Sequence, residues 1–499
     1  MNTKLLKQKI LDLAIRGKLT QQLKSDGTAA DLLKEIADAK SALSQPKGKK
    51  SKDSVQITPL DKNEAPFEIP ANWEWVRLGD VASDFQYGSA EKSQPGGKIA
   101  VLRMGNINRQ GQVDYSDLVY TSNDTEIAKY LLNKNDILFN RTNSPEWVGK
   151  TAIYKGEIPA IYAGYIIRIR PHFNSDYLNY LMCSDYERNW SKEVKTDGVH
   201  QSNINAQKLM AFAVPLPPLA EQQRIVEKIQ EAFAEIDSIE KNKELLKTHI
   251  KQARQKILDL AIHGKLVPQN KTDEPASVLL ERITRDNPHY EKMGLDERRE
   301  KKDERSFKDK RHSREGGNLL AISKDEIPFD VPENWAWCRL GNILAPMQSA
   351  SPKGEFFKYI DIDAIDNSIC RIKAPKIVES KKAPSRASRF TKKDDILFSL
   401  VRPYLRNIAK VTENDCIAST GFFVCSPIIV NSDFCFYLLT SNYVVDGLNQ
   451  FMKGDNSPSI SSQNLVDFTI PLPPLNEQSR IVAKIEELFT ELDLILQNT

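Results

Sequence analysis

The sequence predicts a mixed α/β fold: two α/β domains separated by two long antiparallel coiled-coil helices, arranged as a pseudo-two-fold circular repeat. Three observations predict it. The first is duplication. QKILDLAIRGKL (8–19) returns as QKILDLAIHGKL (255–266), and the match runs on from SDGTAADLLKEI (25–36) to TDEPASVLLERI (272–283). FEIPANWEWVRLGD (67–80) returns as FDVPENWAWCRLGN (329–342), NDILF (135–139) as DDILF (394–398), and SNINAQKLMAFAVPLPP (202–218) as PSISSQNLVDFTIPLPP (458–474). The offsets are 247, 262, 259 and 256, so one unit of about 250 residues is present twice. The second is the order of the pieces. PLPPLAEQQRIVEKI (215–229) and QKILDLAIHGKL form one continuous element in mid-chain, whereas PLPPLNEQSRIVAKI (471–485) ends the chain and QKILDLAIRGKL begins it. A complete outer copy requires the termini to meet, as chain termini commonly do. The third is a 4-3 spacing of apolar residues. It runs through Ile225, Ile229, Ala232, Ile236, Ile239, Lys243, Leu246, Ile250, Ala253, Ile257 and Leu260, with only Lys243 polar.

Taken in order, residues 1–66 hold an N-terminal helical segment that completes the distal element, followed by a linker. The start is amphipathic and basic, as a targeting peptide is, but it contains Asp12 and recurs inside the chain, so it is read as structure. Residues 67–214 form the first globular domain. Short β-rich runs (TAIYKGEI, AIYAGYIIRI) alternate there with the helical SDYLNYLMCS. Residues 215–285 are the central helical region. Pro217 and Pro218 stiffen its start, and Gly264, like Gly17, stands where a left-handed C-terminal cap belongs. A helix over 219–263 would be roughly 68 Å long at 1.5 Å per residue. Residues 286–328 are a charged linker, 329–470 the second globular domain (FFVCSPIIV, SDFCFYLLTS), and 471–499 the distal helix. The distal seam continues through Ile481, Ile485, Leu488, Leu492 and Ile495, and then through Leu6, Ile10 and Leu13. WEWVRLGD and WAWCRLGN read as matching first strands whose tryptophans belong to the core. QPKGKK (45–50) and DERREKKDERSFKDKRHSREGG (296–317) read as solvated linkers, the latter with its bases matched by acids.

Hydrophobic content of 40% and charged content of 27% are ordinary for a soluble globular protein, and no apolar run approaches the ~20 residues that span a bilayer. A net charge of +3 is too small to decide for or against a nucleic-acid partner, so local distribution must decide. The six cysteines form no CxxC pair, which suits a reducing cytoplasm rather than disulfides or zinc.

The loops between matching core segments differ sharply. Residues 381–410 carry nine Lys or Arg (381, 382, 386, 389, 392, 393, 402, 406, 410) against two Asp. Arg386, Arg389, Arg402 and Arg406, interleaved with Tyr404, suit phosphate contact with base-edge readout. The first domain offers Tyr87, Lys92, Arg103, Asn106, Asn108, Arg141, Asn143 and Lys150; arginine forks match guanine and asparagine amides match adenine in the major groove.

Catalytic motifs are absent. SPEWVGKT (144–151) has Ser144 where a phosphate-binding loop needs its first glycine. DNPHY (286–290) departs from the adenine-methyltransferase tetrapeptide at His289 and follows no glycine-rich turn. There is no HExxH, no GxSxG elbow and no carboxylate cluster at nuclease spacing.

Together, the paired PLPPL, QKILDLAI and NWxWxRLG segments and their circular order resemble the specificity subunit of type I restriction-modification enzymes, over essentially the whole chain. The resemblance implies a non-catalytic, DNA-binding subunit of a type I restriction endonuclease and adenine-N6 methyltransferase complex. It implies two target-recognition domains, each reading half of a bipartite site in double-stranded DNA, spaced by helices that dock two methyltransferase subunits. Restriction (motor-nuclease) subunits complete the complex. S-adenosylmethionine would belong to the methyltransferase partner and ATP and magnesium to the restriction partner, with no cofactor on this chain. RTNSPEWVGK, with Arg141, Asn143, Ser144 and Lys150, and VRPYLRNIAK, with Arg402, Tyr404, Arg406 and Asn407, look like the family's DNA-facing loops. YGS, with Tyr87 and Ser89, looks like its early recognition loop. Two other readings share these features: the recognition subunit of a related enzyme that cleaves on both sides of its site, and a coiled-coil scaffold that never touches DNA.

Overall fold

The computed structural model describes residues 2–43, 57–199, 201–286 and 322–498. Most of both charged linkers, and His289 with them, lie outside the described residues. The chain divides into two units, Met1–Asn242 and Lys243–Thr499. The central helix, Leu219–Ile262, is continuous over 44 residues and contributes its first half to one unit and its second half to the other.

In the first unit a two-stranded antiparallel ribbon joins the start of the globular domain to its end. Glu74–Arg77 pairs with Ala213–Leu216, the strand that leads into the proline pair and the central helix. A four-stranded antiparallel sheet runs in the order Ala82–Tyr87, Ile166–Pro171, Ile137–Asn140, Thr151–Ile153. A second sheet orders Val119–Thr121, Ile99–Leu102 and Ala160–Tyr162, the last two parallel. The strand Ile137–Asn140 is buried on both faces. Ile137 and Phe139 join one apolar cluster, with Trp73, Leu178 and Ile225, while Leu138 joins another, with Leu102 and Tyr162. That double burial explains its unbroken apolar reading. The repeated acid just before it has a turn to make. Asn135 sits at φ +74°, and the Asp136 carboxylate accepts the Asn133 N–H at 2.9 Å.

The second unit repeats this plan. Ala336–Arg339 pairs with Thr469–Leu472. Ile396–Ser399 lies between Ile408–Lys410 and Phe422–Cys425, again with its residues divided between two clusters. Asp394 has φ +74°, and Asp395 accepts the Lys392 N–H at 2.8 Å. A four-stranded sheet (Lys376–Glu379, Phe356–Ile360, Cys416–Ser419, Ala387–Thr391) completes the domain.

Each unit contains an antiparallel helix pair. In the first, the N-terminal helix Thr3–Ile15 runs against the first half of the central helix: Thr3 bonds Glu240, Lys7 pairs with Asp237, and beyond the helix Gln22 reaches back to Glu221 at 2.6 Å. In the second, the second half of the central helix runs against the C-terminal helix Leu475–Gln497: Arg254 pairs with Asp493 at 2.5 Å and Gln269 bonds Glu477 at 2.6 Å. The pair Lys7–Asp237 thus recurs as Arg254–Asp493, as a circular repeat demands. Both outgoing helices end alike. The Gly17 N–H bonds the Ala14 carbonyl and the Lys18 N–H that of Leu13, a double closure repeated by Gly264 and Lys265 on Ala261 and Leu260.

The seam follows the 4-3 expectation along the central helix except at Ile239, and departs from it at the outer ends. Ile225, Ile229, Ile236 and Ile250 are buried, but Ile239 is 46% exposed. At the outgoing ends the buried faces are Leu11, Ala14, Ile15 and Leu258, Ala261, Ile262, while Leu6 is 37% exposed. There each helix packs on a globular core and on a following helix, Ala29–Leu43 or Ala276–Asp286. A broad apolar surface selects a wide i, i+3, i+4 stripe rather than a coiled-coil line.

Candidate nucleic-acid interface

In each domain the chain leaving the doubly buried strand forms a loop whose ends are tied by corresponding backbone bonds. After Ile137–Asn140, the short strand Thr142–Asn143 pairs with Ser202–Asn203, which pairs with Thr196–Asp197. A turn follows, with the Trp147 and Val148 N–H groups on the Ser144 carbonyl and Gly149 at φ +87°. After Ile396–Ser399, Val401 bridges Ser459 and a 3-10 turn spans Pro403–Leu405, between Arg402 at φ +48° and Arg406 at φ +54°. Backbone bonds at both ends align the loops. Ile204 N–H to Arg141 O corresponds to Ile460 N–H to Leu400 O, and Asn140 N–H to Lys150 O corresponds to Ser399 N–H to Asn407 O. Each loop carries a proline (Pro145, Pro403) and presents one aromatic ring, Trp147 at 45% and Tyr404 at 46% exposure.

Within the first domain Tyr87 and Arg141 come together, the guanidinium 4.7 Å from the ring centroid, and the Tyr87 hydroxyl accepts the Ala206 N–H at 3.0 Å. Lys92 is exposed. Asn143 bonds Asn140 at 2.9 Å and accepts the Ser144 N–H at 2.8 Å. Other expected contact residues serve the fold. Ser89 is buried and bonded to Glu126. Asn106 is buried, its amide donating to the carbonyls of Asp114 and Asp117 at 2.9 Å each. Lys150 donates to the carbonyls of Met104 and Ile107 at 2.9 and 2.7 Å, and burial lowers its pKa. Arg103 pairs with Asp117 at 2.9 Å, and Asn108 accepts the N–H groups of Gln110 and Gln112.

In the second domain Arg386 and Tyr404 are exposed and Arg389 is half-buried. Arg402 is exposed, touching the Asn456 carbonyl at 2.8 Å. Arg406 points inward to the Thr440 carbonyl at 2.7 Å and Asn442 at 2.6 Å, and Asn407 is buried. Lys410, one of the nine cations of that segment, is held between Asp394 and Asp433 at 3.0 and 2.7 Å.

Residue-type reasoning passed over Trp147, Arg109 and Tyr165. The cations of Arg109 and Lys150 both approach the Trp147 ring, 5.1 and 5.3 Å from its centroid. Tyr165 is half exposed, and its carbonyl accepts the Arg141 N–H at 2.9 Å. Trp147 sits inside RTNSPEWVGK, so an exposed aromatic in a polar turn was the available signal.

Among the described residues no group of three or more His, Cys, Asp or Glu is arranged to hold a metal ion, and no helix is long and apolar enough to cross a membrane. The sequence model described as "Type I restriction modification DNA specificity domain" matches residues 70–248 and 332–498. The specificity subunit of type I restriction enzyme EcoAI from Escherichia coli is 26% identical over 545 aligned residues, covering 97% of this chain and 88% of that one. The EcoEI specificity subunit, also from Escherichia coli, is 24% identical over 567, covering 98% and 89%. A chain solved in work on complex assembly and conformational transition of the type I R-M system superposes with a TM-score of 0.52 at 18% identity, covering 87% of this chain and 94% of that one. With the family's DNA specificity domain matched twice, once around each of these loops, the chain belongs to the type I restriction-modification specificity subunits.

Proposed function

We propose that this chain gives a type I restriction-modification complex its DNA sequence preference, each globular domain (67–214 and 329–470) reading one half of a bipartite target. The central region 215–285 and the distal helix 471–499 with residues 1–66 dock two methyltransferase subunits and the restriction subunits. S-adenosylmethionine belongs to the methyltransferase and ATP with magnesium to the restriction subunit. The observation that carries this reading is the duplicated loop. The backbone bonds at the loop's ends are kept in both domains while the residues between them differ, Arg141-Thr-Asn-Ser-Pro-Glu-Trp in one and Val401-Arg-Pro-Tyr in the other. A constant frame with variable polar, cationic and aromatic groups suits two readers of different base sequences. The contact set proposed is Tyr87, Lys92, Arg141, Asn143 and Trp147 in the first domain, and Arg386, Arg402 and Tyr404 in the second.

The test is a methylome. The chain is co-expressed with its cognate methyltransferase in a host lacking modification, and N6-methyladenine is mapped by single-molecule sequencing. A new motif of two short halves around a constant gap is expected. Two soluble, associated proteins that write no motif would overturn the reading in favour of a scaffold.

A further inference from the structure

The first unit holds a cleft that the loop reading does not use. It lies between the N-terminal helix, the turn 145–148 and the helix Asp185–Val194, and four cations line it: Lys4, Arg109, Arg188 and Lys192. The Gln8 amide donates to the Cys183 carbonyl at 3.3 Å, setting the N-terminal helix beside this helix one turn after Lys4. Lys4 and Lys192 are exposed. Arg109 is half-buried, bonded to the Glu146 carbonyl and stacked on Trp147.

We propose that this cleft seats a phosphodiester of the DNA backbone, next to the loop that carries Arg141 and Trp147. The inference rests on the DNA-reading function proposed above and adds a sequence-independent anchor to it.

Three facts support a ligand rather than a packing role. Four cations converge on a lining that holds one acid, Glu146, and of the four Arg188 is already paired, with Asp185 at 2.9 Å. Burial, and then the neighbouring Arg188, lower the pKa of Arg109. Glu187 is buried behind the cleft with Ser191 donating to it at 2.5 Å, and burial pushes its carboxyl up to about 8. At neutral pH it is mostly protonated and adds little negative charge to the cleft. The floor is also built closely: a Cβ on Gly149 would lie 2.5 Å from Ser191 Oγ and 2.9 Å from Glu187 Oε1, so the turn closes onto this helix only with glycine. Finally, the fold does not need these charges. The second unit has the same helix, capped by Ser441 as Ser184 caps the first, with Val444, Val445, Leu448 and Asn449 in place of Glu187, Arg188, Ser191 and Lys192. Val444, Val445 and Leu448 are fully buried there. An apolar solution exists, so the polar one in the first unit is a local addition. A cationic cleft beside an exposed ring suits a phosphate flanking a contacted base.

The test measures DNA binding by the full chain, assembled with its methyltransferase, across a salt series. It compares wild type with Lys4→Gln/Lys192→Gln, using a duplex that carries the methylome-defined site and a scrambled duplex. Expected is a weakening of about tenfold on both duplexes at low salt, with the log–log salt slope shallower by about 1, the value for roughly one lost phosphate contact. An unchanged slope would overturn the proposal, as would a loss confined to the specific duplex. Unchanged DNA binding with weakened methyltransferase association would overturn it too, assigning the cleft to an acidic protein surface. Wild type without salt-sensitive, site-preferring binding would instead sink the DNA-reading function itself.

Discussion

The indole Nε1–H of Trp73 donates to the Glu221 carboxylate at 2.9 Å, inside the core of the first unit and with both residues almost wholly buried. Glu221 stands in the first turn of the central helix, where a negative charge meets the helix dipole favourably. Gln22 supplies another donor, at 2.6 Å. The arrangement recurs as Trp335 to Glu477 at 3.0 Å, with Gln269 in the place of Gln22. This explains why NWxW and PLPPLxEQ repeat together: one segment supplies the donor and the other the buried acceptor. Trp73→Phe keeps most of the apolar volume and removes one donor to a buried carboxylate, so it should cost about 1–3 kcal/mol in urea unfolding of the first unit. Stability equal to wild type would mean that Gln22, the Thr20 hydroxyl at 3.2 Å and the helix terminus satisfy Glu221 without the indole.

Gly17 and Gly264 make a second pair. Each has a positive φ, +64° and +66°, and a Cβ would meet Pro70 Cγ at 2.3 Å or Pro332 Cγ at 2.4 Å. A left-handed alanine costs ~1 kcal/mol by itself. The clash with a rigid ring adds to that, so Gly17→Ala should lose about 2–4 kcal/mol. Asparagine, which tolerates the conformation, should fare no better, because the proline contact remains. A Gly17→Asn variant that restored stability would show backbone strain, not the ring, to be the larger cost.

These pairs were legible because duplication marks them: a glycine or tryptophan spelt twice in the same context has a structural duty. The loops were less legible. Nothing in linear order says that Asn106 turns its amide onto two carbonyls, or that Lys150 spans to Met104 and Ile107, since a polar side chain in a loop serves as an internal crosslink as readily as a contact. Arg402 and Arg406 look alike in sequence, yet one faces out and the other ties down a helix junction. The seam is legible along the central helix, where Ile239 alone of its eleven positions is exposed, but less so at the outer ends, because periodicity reports an apolar stripe and not whether a helix or a globular core lies against it.

Glu187 gives a pH prediction. Its folded-state pKa of about 8 lies above its ordinary 4.5. Between these values the folded chain keeps a proton that the unfolded chain releases, so its contribution to stability is fully present below about pH 4.5 and is lost as pH rises through about 8. The slope is at most ~1.4 kcal/mol per pH unit for one proton. Hydrogen exchange of the helix Asp185–Val194 at pH 5.5, 7 and 8.5 should show this fall in wild type and a flatter profile in Glu187→Gln. Parallel profiles would show that the carboxyl ionises freely in the folded state.

The two arginines of the second loop should separate cleanly. Arg406→Ala removes bonds to the Thr440 carbonyl and Asn442, leaving the partly buried Thr440 carbonyl short of a donor, and should lower the melting temperature of the second unit by several degrees. Arg402→Ala removes a mostly solvated guanidinium and should leave melting unchanged while relaxing methylation at one half of the target. A thermal loss for Arg402→Ala, with the target unaltered, would remove it from the contact set.

The exposed rings test the shared loop frame. Trp147 and Tyr404 stand on equivalent turns, each close to half exposed, where burial gives them little to contribute to folding. If each stacks on or against a base, alanine should cost about 1–3 kcal/mol in DNA affinity. Relaxed methylation should then be confined to one half-site, and to opposite halves for the two variants. Trp147 carries a complication of its own, because the cations of Arg109 and Lys150 both lie against its ring. Trp147→Ala should therefore also loosen Arg109 and soften the salt dependence, which Tyr404→Ala should not, since no cation in the second unit is stacked on its ring among the described residues. Methylomes of both variants, with salt titrations of the same proteins, read the two effects separately. Relaxation of the same half-site by both substitutions would break the equivalence of the loops, and with it the assignment of one half-site to each domain.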